Sequence, residues 1–163
     1  MKILLVSDTH GDINCLRNTV IPKHMREIDL VIHLGDYVRD FNEVKRVFPG
    51  MIMVGVAGAY ETGERAERIL KFGDGDAQQR ILIMHGHDQG VKQGLGRIAN
   101  YAKYKDVHAC FFGHTHEPTI FTRNDVFFMN PGSLTDSRGL PKCSYGLVNI
   151  SGTGEFTGEL VYI

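Results

Sequence analysis

Five times along this chain a short apolar run ends abruptly in a loop built from Gly, Asp, His or Asn. Ile3 to Val6 runs into Ser7-Asp8-Thr9-His10-Gly11-Asp12, and Leu30 to Leu34 into Gly35-Asp36. Arg80 to Met84 meets His85-Gly86-His87, Val107 to Phe112 meets Gly113-His114-Thr115-His116, and Val126 to Met129 meets Asn130-Pro131-Gly132-Ser133. Apolar runs this short and continuous predict strands covered on both faces, as in a parallel sheet. Ligands of open α/β sheets bind outside the carboxyl ends of the strands. The pattern therefore predicts one crevice lined by residues far apart in sequence.

Between the strands the spacing predicts helices. Leu16, Val20 and Met25 mark the apolar face of the first, which Pro22 interrupts. A second covers about 41–48 and stops at Pro49-Gly50, and a third covers 91–104 apart from its two glycines. Met51 to Val56 reads as a further strand ending at Gly58-Ala59-Tyr60-Glu61. Repeated strand–loop–helix units are the signature of an α/β sandwich. The second half is richer in strands. Thr119 to Thr122 and Val126 to Met129 predict a hairpin around Arg123-Asn124-Asp125, and Ser144 to Ile150 with Glu155 to Tyr162 an antiparallel pair closing a second sheet. No repeat, low-complexity tract or linker divides the chain, so residues 1–163 are expected to form a single domain.

Composition narrows the function classes. Hydrophobic residues make up 42% and charged residues 23%, which excludes a disordered chain. A formal net charge of -1 gives no bulk attraction to nucleic acid or anionic membranes, so any bound anion must be drawn by a local site. No stable nucleic-acid partner and no membrane partner are expected. Cys15, Cys110 and Cys143 cannot all pair and form no CxxC, as expected of reduced thiols. The apolar run at residues 3–6 is too short for a signal-peptide core, and no segment approaches the roughly 20 apolar residues needed to span a bilayer. A cytoplasmic location is expected.

The loops at the strand ends supply two aspartates and four imidazoles. This hard-to-borderline set suits manganese, iron, zinc or cobalt better than magnesium or calcium, and the lack of thiols argues against a structural zinc site. One histidine alone is more often a hydrogen-bonded structural residue than a ligand. Six matching positions in order are another matter.

Taken in sequence, Asp8-x-His10, Gly35-Asp36, the Gly58 segment, His85-Gly86-His87, Gly113-His114-Thr115-His116 and Asn130-Pro131-Gly132-Ser133 resemble the motifs of the calcineurin-like metallophosphoesterase superfamily. They span nearly the whole chain, whose length is similar to the small bacterial and archaeal phosphodiesterase branch. The resemblance implies a four-layer α-β-β-α sandwich of two mixed sheets, with the metal site at the carboxyl ends of the strands. It implies two divalent transition-metal ions, manganese foremost, with iron, zinc, nickel or cobalt as alternatives. Asp8, His10 and His116 would hold one ion and His85 and His114 the other, with Asp36 bridging. Two dications less two carboxylates and one hydroxide leave a local charge of about +1, enough to attract a phosphate ester. A metal-bridging hydroxide would attack phosphorus while the ions neutralise the phosphoryl oxygens. The implied activity is phosphodiester hydrolysis on a small phosphate-ester substrate, and a homo-oligomer is compatible with it.

One position departs from the family pattern. Where the family has Asn after the glycine, as an oxygen ligand to the second ion, this chain has Ala59, whose methyl group cannot coordinate a metal. The second site would then keep Asp36, His85 and His114, with water completing it. Tyr60 is a candidate catalytic phenol near the substrate, and Glu61 a candidate replacement carboxylate, although both also read as surface-loop residues. Many larger relatives carry His where Tyr60 stands. Its absence resembles the phosphodiesterase branch. His87 is a candidate catalytic or substrate-contacting residue beside Asp36. His33 reads as packed and hydrogen-bonded, and His24 and His108 as surface or strand-edge groups. Asn130 is expected to fix loop geometry or to support a ligand. Arg138 reads as solvated, with a phosphate clamp as the alternative. The competing view is a catalytically weakened or inactive scaffold of the same fold, as the retromer subunit resembling this family is thought to be.

Overall fold

The computed structural model describes residues 1–59, 61 and 65–163. Two five-stranded mixed sheets face each other. The first has the order β10-β9-β1-β2-β3, with β1 (Lys2–Val6), β2 (Leu30–His33) and β3 (Met53–Gly55) parallel. Beside β1 run β9 (Ser144–Ile150) and then β10 (Phe156–Tyr162), each antiparallel to its neighbour. The second sheet has the order β4-β5-β6-β8-β7. Its centre is parallel: β5 (Gln79–Met84), β6 (Ala109–Phe112) and β8 (Val126–Asn130). Antiparallel edges are β4 (Glu67–Phe72) and β7 (Thr119–Arg123).

Three apolar layers hold this together. Between the sheets, Ile3, Leu5 and Ile32 meet Ile81, Ile83 and Phe111. On the outer face of the first sheet, Leu4, Val6 and Val31 pack against Leu16, Val20 and Ile21, and against Val44 of α2 (Val38–Val47). On the outer face of the second, Leu82, Cys110 and Phe128 pack against Ile98, Ala99 and Ala102 of α3 (Leu95–Tyr104). The result is the expected α-β-β-α layering. Strands covered on both sides are apolar at successive positions, which is why the central runs do not alternate. Cutting Phe111 back to Ala would cost roughly 3–5 kcal/mol through the cavity it leaves.

Several expectations change. The antiparallel pair β9–β10 joins the first sheet, not the second: β1 needs a neighbour on its free side, and Lys2 to Leu5 pair with Asn149 back to Gly146. The strand β4 carries charged Glu67, Arg68 and Lys71 and pairs on one side only, so its sequence shows no clean period. The first helix contains a π-helical turn over Leu16–Val20 before α1 (Ile21–His24), where Ile21 N–H reaches Leu16 C=O. This wide turn precedes Pro22, which has no N–H to continue the ladder. Met25 is 47% exposed, not part of the buried face. The third helix is split: a short 3₁₀ turn (Val91–Gln93) ends at Gly94, whose φ of 133° breaks it from α3. The hairpin turns on Asn124-Asp125, both at positive φ (54° and 62°), as a two-residue type I′ loop requires. Cys15, Cys110 and Cys143 are free thiols.

Candidate metal centre

The carboxyl ends of β1, β2, β5, β6 and β8 meet at one rim, and the loops leaving them carry the expected residues. Backbone there is held in conformations that side chains avoid. Asp8 (φ 52°), His10 (48°), Asp36 (129°), His114 (70°) and His116 (64°) all lie at positive φ. Each such residue stores strain on the order of 1–3 kcal/mol and persists where its surroundings over-determine it. Close packing enforces the geometry. A side chain at Gly58 would collide with the Asp36 backbone, and one at Gly113 with the Ser7 hydroxyl. Only glycine lets these loops approach so closely.

Polar anchors do the rest. Ser133 Oγ donates to the Asp8 carbonyl at 2.7 Å, and Thr135 Oγ1 to the Thr9 carbonyl at 3.1 Å. Asn130 Nδ2 donates to the Gly113 carbonyl (3.0 Å) and to Thr115 Oγ1 (2.9 Å), so it fixes the loop of His114 and His116. Buried Asp40 was not singled out from sequence. It accepts hydrogen bonds from Thr9 Oγ1 and Gly11 N–H, both at 2.8 Å, while Thr9 Oγ1 also lies 3.2 Å from His33 Nε2. An acid two residues into a surface-looking helix gives no sequence signal for this. Burial pushes His33 down to about 4, although Asp8 and Asp40 oppose it, so the ring is a neutral strut at neutral pH.

At the centre, Asp8, His10 and His116 present ligand atoms within 4.8 Å of one another, and so do Asp8, Asp36 and His85. Asp8 Oδ2 accepts from Ser7 Oγ (2.6 Å) and from His114 N–H (3.0 Å), leaving Oδ1 3.3 Å from His116 Nε2. The imidazoles are oriented from behind. His116 Nδ1 donates to the Asp136 carbonyl at 2.6 Å, and His85 Nδ1 to the Leu34 carbonyl at 2.8 Å. In the neutral rings this fixes bare Nε2 lone pairs. His116 Nε2 faces His10 Nε2 at 3.1 Å, and His85 Nε2 faces His114 Nδ1 at 3.1 Å. His10 Nδ1 also lies 2.8 Å from Asp36 Oδ2, yet that buried oxygen receives no hydrogen bond from the described residues.

Ring nitrogens turned toward one another around two buried carboxylates make a pocket of electron-pair donors that suits cations. Divalent metals fit this donor set. The electrostatics agree. Burial works to raise Asp8, but His116, His85 and Ser7 hold it at about 2, so it is ionised. Burial lowers His85, and burial with neighbouring His85 and Lys92 pushes His114 down to about 4; both rings are neutral at pH 7. Burial works to lower His116, but Asp8 and the Asp136 carbonyl outweigh it and raise it. Asp36 is raised by its burial, although His10 pulls the other way.

The remaining candidates divide. His87 stands beside the centre, its ring centroid 5.5 Å from His85 and 6.2 Å from His114, with Nδ1 buried and unpartnered among the described residues. Ala59 is exposed and brings no donor. Tyr60 lies outside the described residues. Glu61 does not turn inward as a replacement carboxylate: it accepts from Val38 N–H at the start of α2 (2.6 Å) and from Gly58 N–H (3.2 Å). Free N–H groups of a helix start attract a carboxylate, which explains that choice. His24 is buried against the Tyr145 hydroxyl at 2.9 Å, not on the surface, whereas His108 is exposed at the strand edge as expected.

Comparison with known proteins follows the same lines. Residues 1–153 match the calcineurin-like phosphoesterase superfamily domain. The chain is 28% identical over 153 residues to the probable metallophosphoesterase YsnB of Bacillus subtilis, covering 92% of this chain and 85% of that one. It is 28% identical over 147 residues to the phosphodiesterase MJ0936 of Methanocaldococcus jannaschii, covering 81% and 83%. Among solved structures, a Streptococcus pneumoniae protein described as a predicted phosphoesterase superposes with a TM-score of 0.77 at 23% identity, over 99% of this chain and 88% of that one. Vps29 of Entamoeba histolytica in complex with zinc superposes at 0.74 and 22% identity, over 99% of both. At these identities the two structures speak for the fold alone.

Proposed function

The chain belongs to the calcineurin-like phosphoesterase superfamily, and from that premise we propose that this metal-dependent phosphoesterase hydrolyses phosphodiesters at a dinuclear centre. The observation that carries the reading is the two facing pairs of imidazoles, His10 with His116 and His85 with His114, set around the carboxylates of Asp8 and Asp36. Asp8, His10 and His116 would hold one ion and His85 and His114 the other, with Asp36 as the ligand they would share. Divalent ions bound there, manganese foremost, supply Lewis acidity toward the phosphoryl oxygens and lower the pKa of water.

The chain's own groups do the rest. Asp136 and Leu34 carbonyls hold His116 and His85 in the tautomer that binds metal. His87 offers an Nδ1 with no partner among the described residues, beside the reacting centre and available to hydrogen-bond the ester. Tyr60 is proposed as a substrate contact on the same rim. The phosphodiesterase name of the archaeal relative supports diesters over monoesters. The enzyme is proposed to be cytoplasmic, to act on a small phosphate ester without stable nucleic-acid or membrane partners, and to be compatible with self-association. Among the described residues no helix is long and apolar enough to cross a membrane.

One observation favours a second reading, a weakened or non-catalytic scaffold: the missing donor at Ala59. A single assay separates the two. Metal-stripped protein is given bis(4-nitrophenyl) phosphate with and without manganese. Hydrolysis only with manganese is the expected result. Folded, manganese-binding protein that hydrolyses nothing would leave the scaffold.

A further inference from the structure

Beside the candidate metal centre runs an open groove of about 310 Å³, lined by Lys92, Thr115, Glu117, Ser137 and Arg138 among others. It touches the centre directly, since Thr115 separates His114 from His116 in the chain. Its two cations come from different loops. Lys92 stands on the 3₁₀ turn after the His85 loop, and Arg138 on the segment after β8. Arg138 Nε lies 3.7 Å from the carboxylate of Asp136, whose carbonyl accepts from His116 Nδ1, and Lys92 lines the same groove as Thr115. Two positive charges thus line one groove beside the centre.

These cations are not consumed by the fold. Among the described residues no ion pair engages Lys92. Arg138 has a loose contact of its Nε with Asp136 Oδ2 at 3.7 Å, and no hydrogen bond from the described residues takes its terminal nitrogens. Asp136 also lends its carbonyl to His116, so Arg138 is tethered to the residue that orients a candidate ligand. Partial desolvation, and then the Arg138 charge, hold the Lys92 ammonium below its usual range, as expected of two cations facing one space. Glu117 is the single carboxylate among the lining residues. Two like charges turned to one groove repel unless an anion sits between them.

We infer that the groove between Lys92 and Arg138 binds a second anionic group of the substrate, so that the enzyme prefers phosphodiesters carrying a further phosphate or phosphonate on one arm. The inference rests on the phosphodiesterase reading above and deepens it. Thr115 adds a hydroxyl donor to the two cations, a combination suited to phosphate oxygens, while the Ser137 hydroxyl donates to the Leu140 carbonyl at 2.7 Å. The overall charge of -1 repels dianionic substrates weakly, so this preference has to be local. Both cations are exposed, so it weakens as salt rises.

The test is a matched pair of substrates on manganese-loaded protein: 4-nitrophenyl ethyl phosphate and 4-nitrophenyl 2-phosphonoethyl phosphate. Wild type is expected to favour the phosphonate-bearing diester in kcat/KM. The double variant Lys92→Met/Arg138→Met is expected to lose that preference by about tenfold or more, chiefly in KM, and Arg138→Lys to keep much of it. An identical ratio in wild type and double variant overturns the inference. If wild type hydrolyses neither ester, the phosphodiesterase reading fails, and the groove is judged by calorimetry with inorganic pyrophosphate. About tenfold weaker binding by the double variant would then support it, and equal affinity would overturn it.

Discussion

The two halves of the candidate metal centre are built to different standards. Around Asp8, His10 and His116 every loop is tied from behind: Ser133 and Thr135 hold the first loop, Asp40 holds Thr9 and Gly11, Asn130 holds the His114–His116 loop, and Asp136 turns the His116 ring. Around His85 and His114 the bracing is thinner. Leu34 fixes the His85 ring, His114 shares the loop held by Asn130 and donates its N–H to Asp8, and the rim then runs to Ala59, which has nothing to give a cation. The acid that stands near Ala59, Glu61, is already committed to backbone donors at Gly58 and Val38. A family site can thus lose one ligand without losing its scaffold, and the expected consequence is two ions of unequal affinity.

Breaking the shared element should have the largest effect. Asp36→Asn is expected to lower manganese-stimulated turnover of bis(4-nitrophenyl) phosphate by on the order of 10³-fold, since several kcal/mol of charge stabilisation are at stake. A rate within twofold of wild type would contradict the assignment of Asp36. Loosening the braced half from behind comes next. Asp40→Asn leaves every candidate ligand in place but removes the charged acceptor of Thr9 and Gly11. Manganese affinity should fall by roughly 10–100-fold, the usual scale for outer-shell partners, with far-ultraviolet circular dichroism unchanged.

Repairing the thin half sharpens the contrast in the other direction. Ala59→Asn restores a side-chain oxygen where the family has one, and the weaker manganese step should tighten by about tenfold, the worth of roughly 1.4 kcal/mol. The stronger step should not move. Unchanged binding curves would mean that Ala59 is not the source of the asymmetry.

The effect furthest from the metal chemistry concerns the His33 strut. Its pKa is about 4 in the folded protein against 6.5 for a free side chain. Above pH 6.5 both states are neutral and the full stability is present. Between 6.5 and 4 the unfolded chain takes up a proton that the folded chain refuses, so stability falls by up to about 1.4 kcal/mol per pH unit. His33→Gln should flatten that part of the stability curve in chemical denaturation between pH 7 and 4.5. An equally steep curve would remove His33 as its cause.

Much of this was legible in the sequence, and the limits have physical reasons. The apolar runs ending in Asp and His were readable because parallel strands buried on both faces cannot be polar, and because the polar switch marks the strand end. Asn130 was readable as a support from its place in such a loop, and His33 as packed and hydrogen-bonded from its place in the strand before Gly35-Asp36. The sheet membership of β9 and β10 was not, since pairing partners are chosen by whole edges and the residues of Ser144–Ile150 would fit either sheet. The strand β4 hid behind Glu67, Arg68 and Lys71, charges that an edge strand carries at no penalty. Asp40 was invisible because a buried acid with local donors looks, in one dimension, like any helical surface acid. Glu61 shows the reverse case: a carboxylate near a gap in a metal site, captured first by the start of a helix.

The most direct test of the unequal centre is a manganese titration of metal-stripped protein, followed by electron paramagnetic resonance, with diester hydrolysis measured in the same samples. Two binding steps at least about tenfold apart are expected, with hydrolysis rising on the second, weaker step and the gap closing in Ala59→Asn. Two equal steps, or full activity after the first equivalent of manganese, would contradict the account.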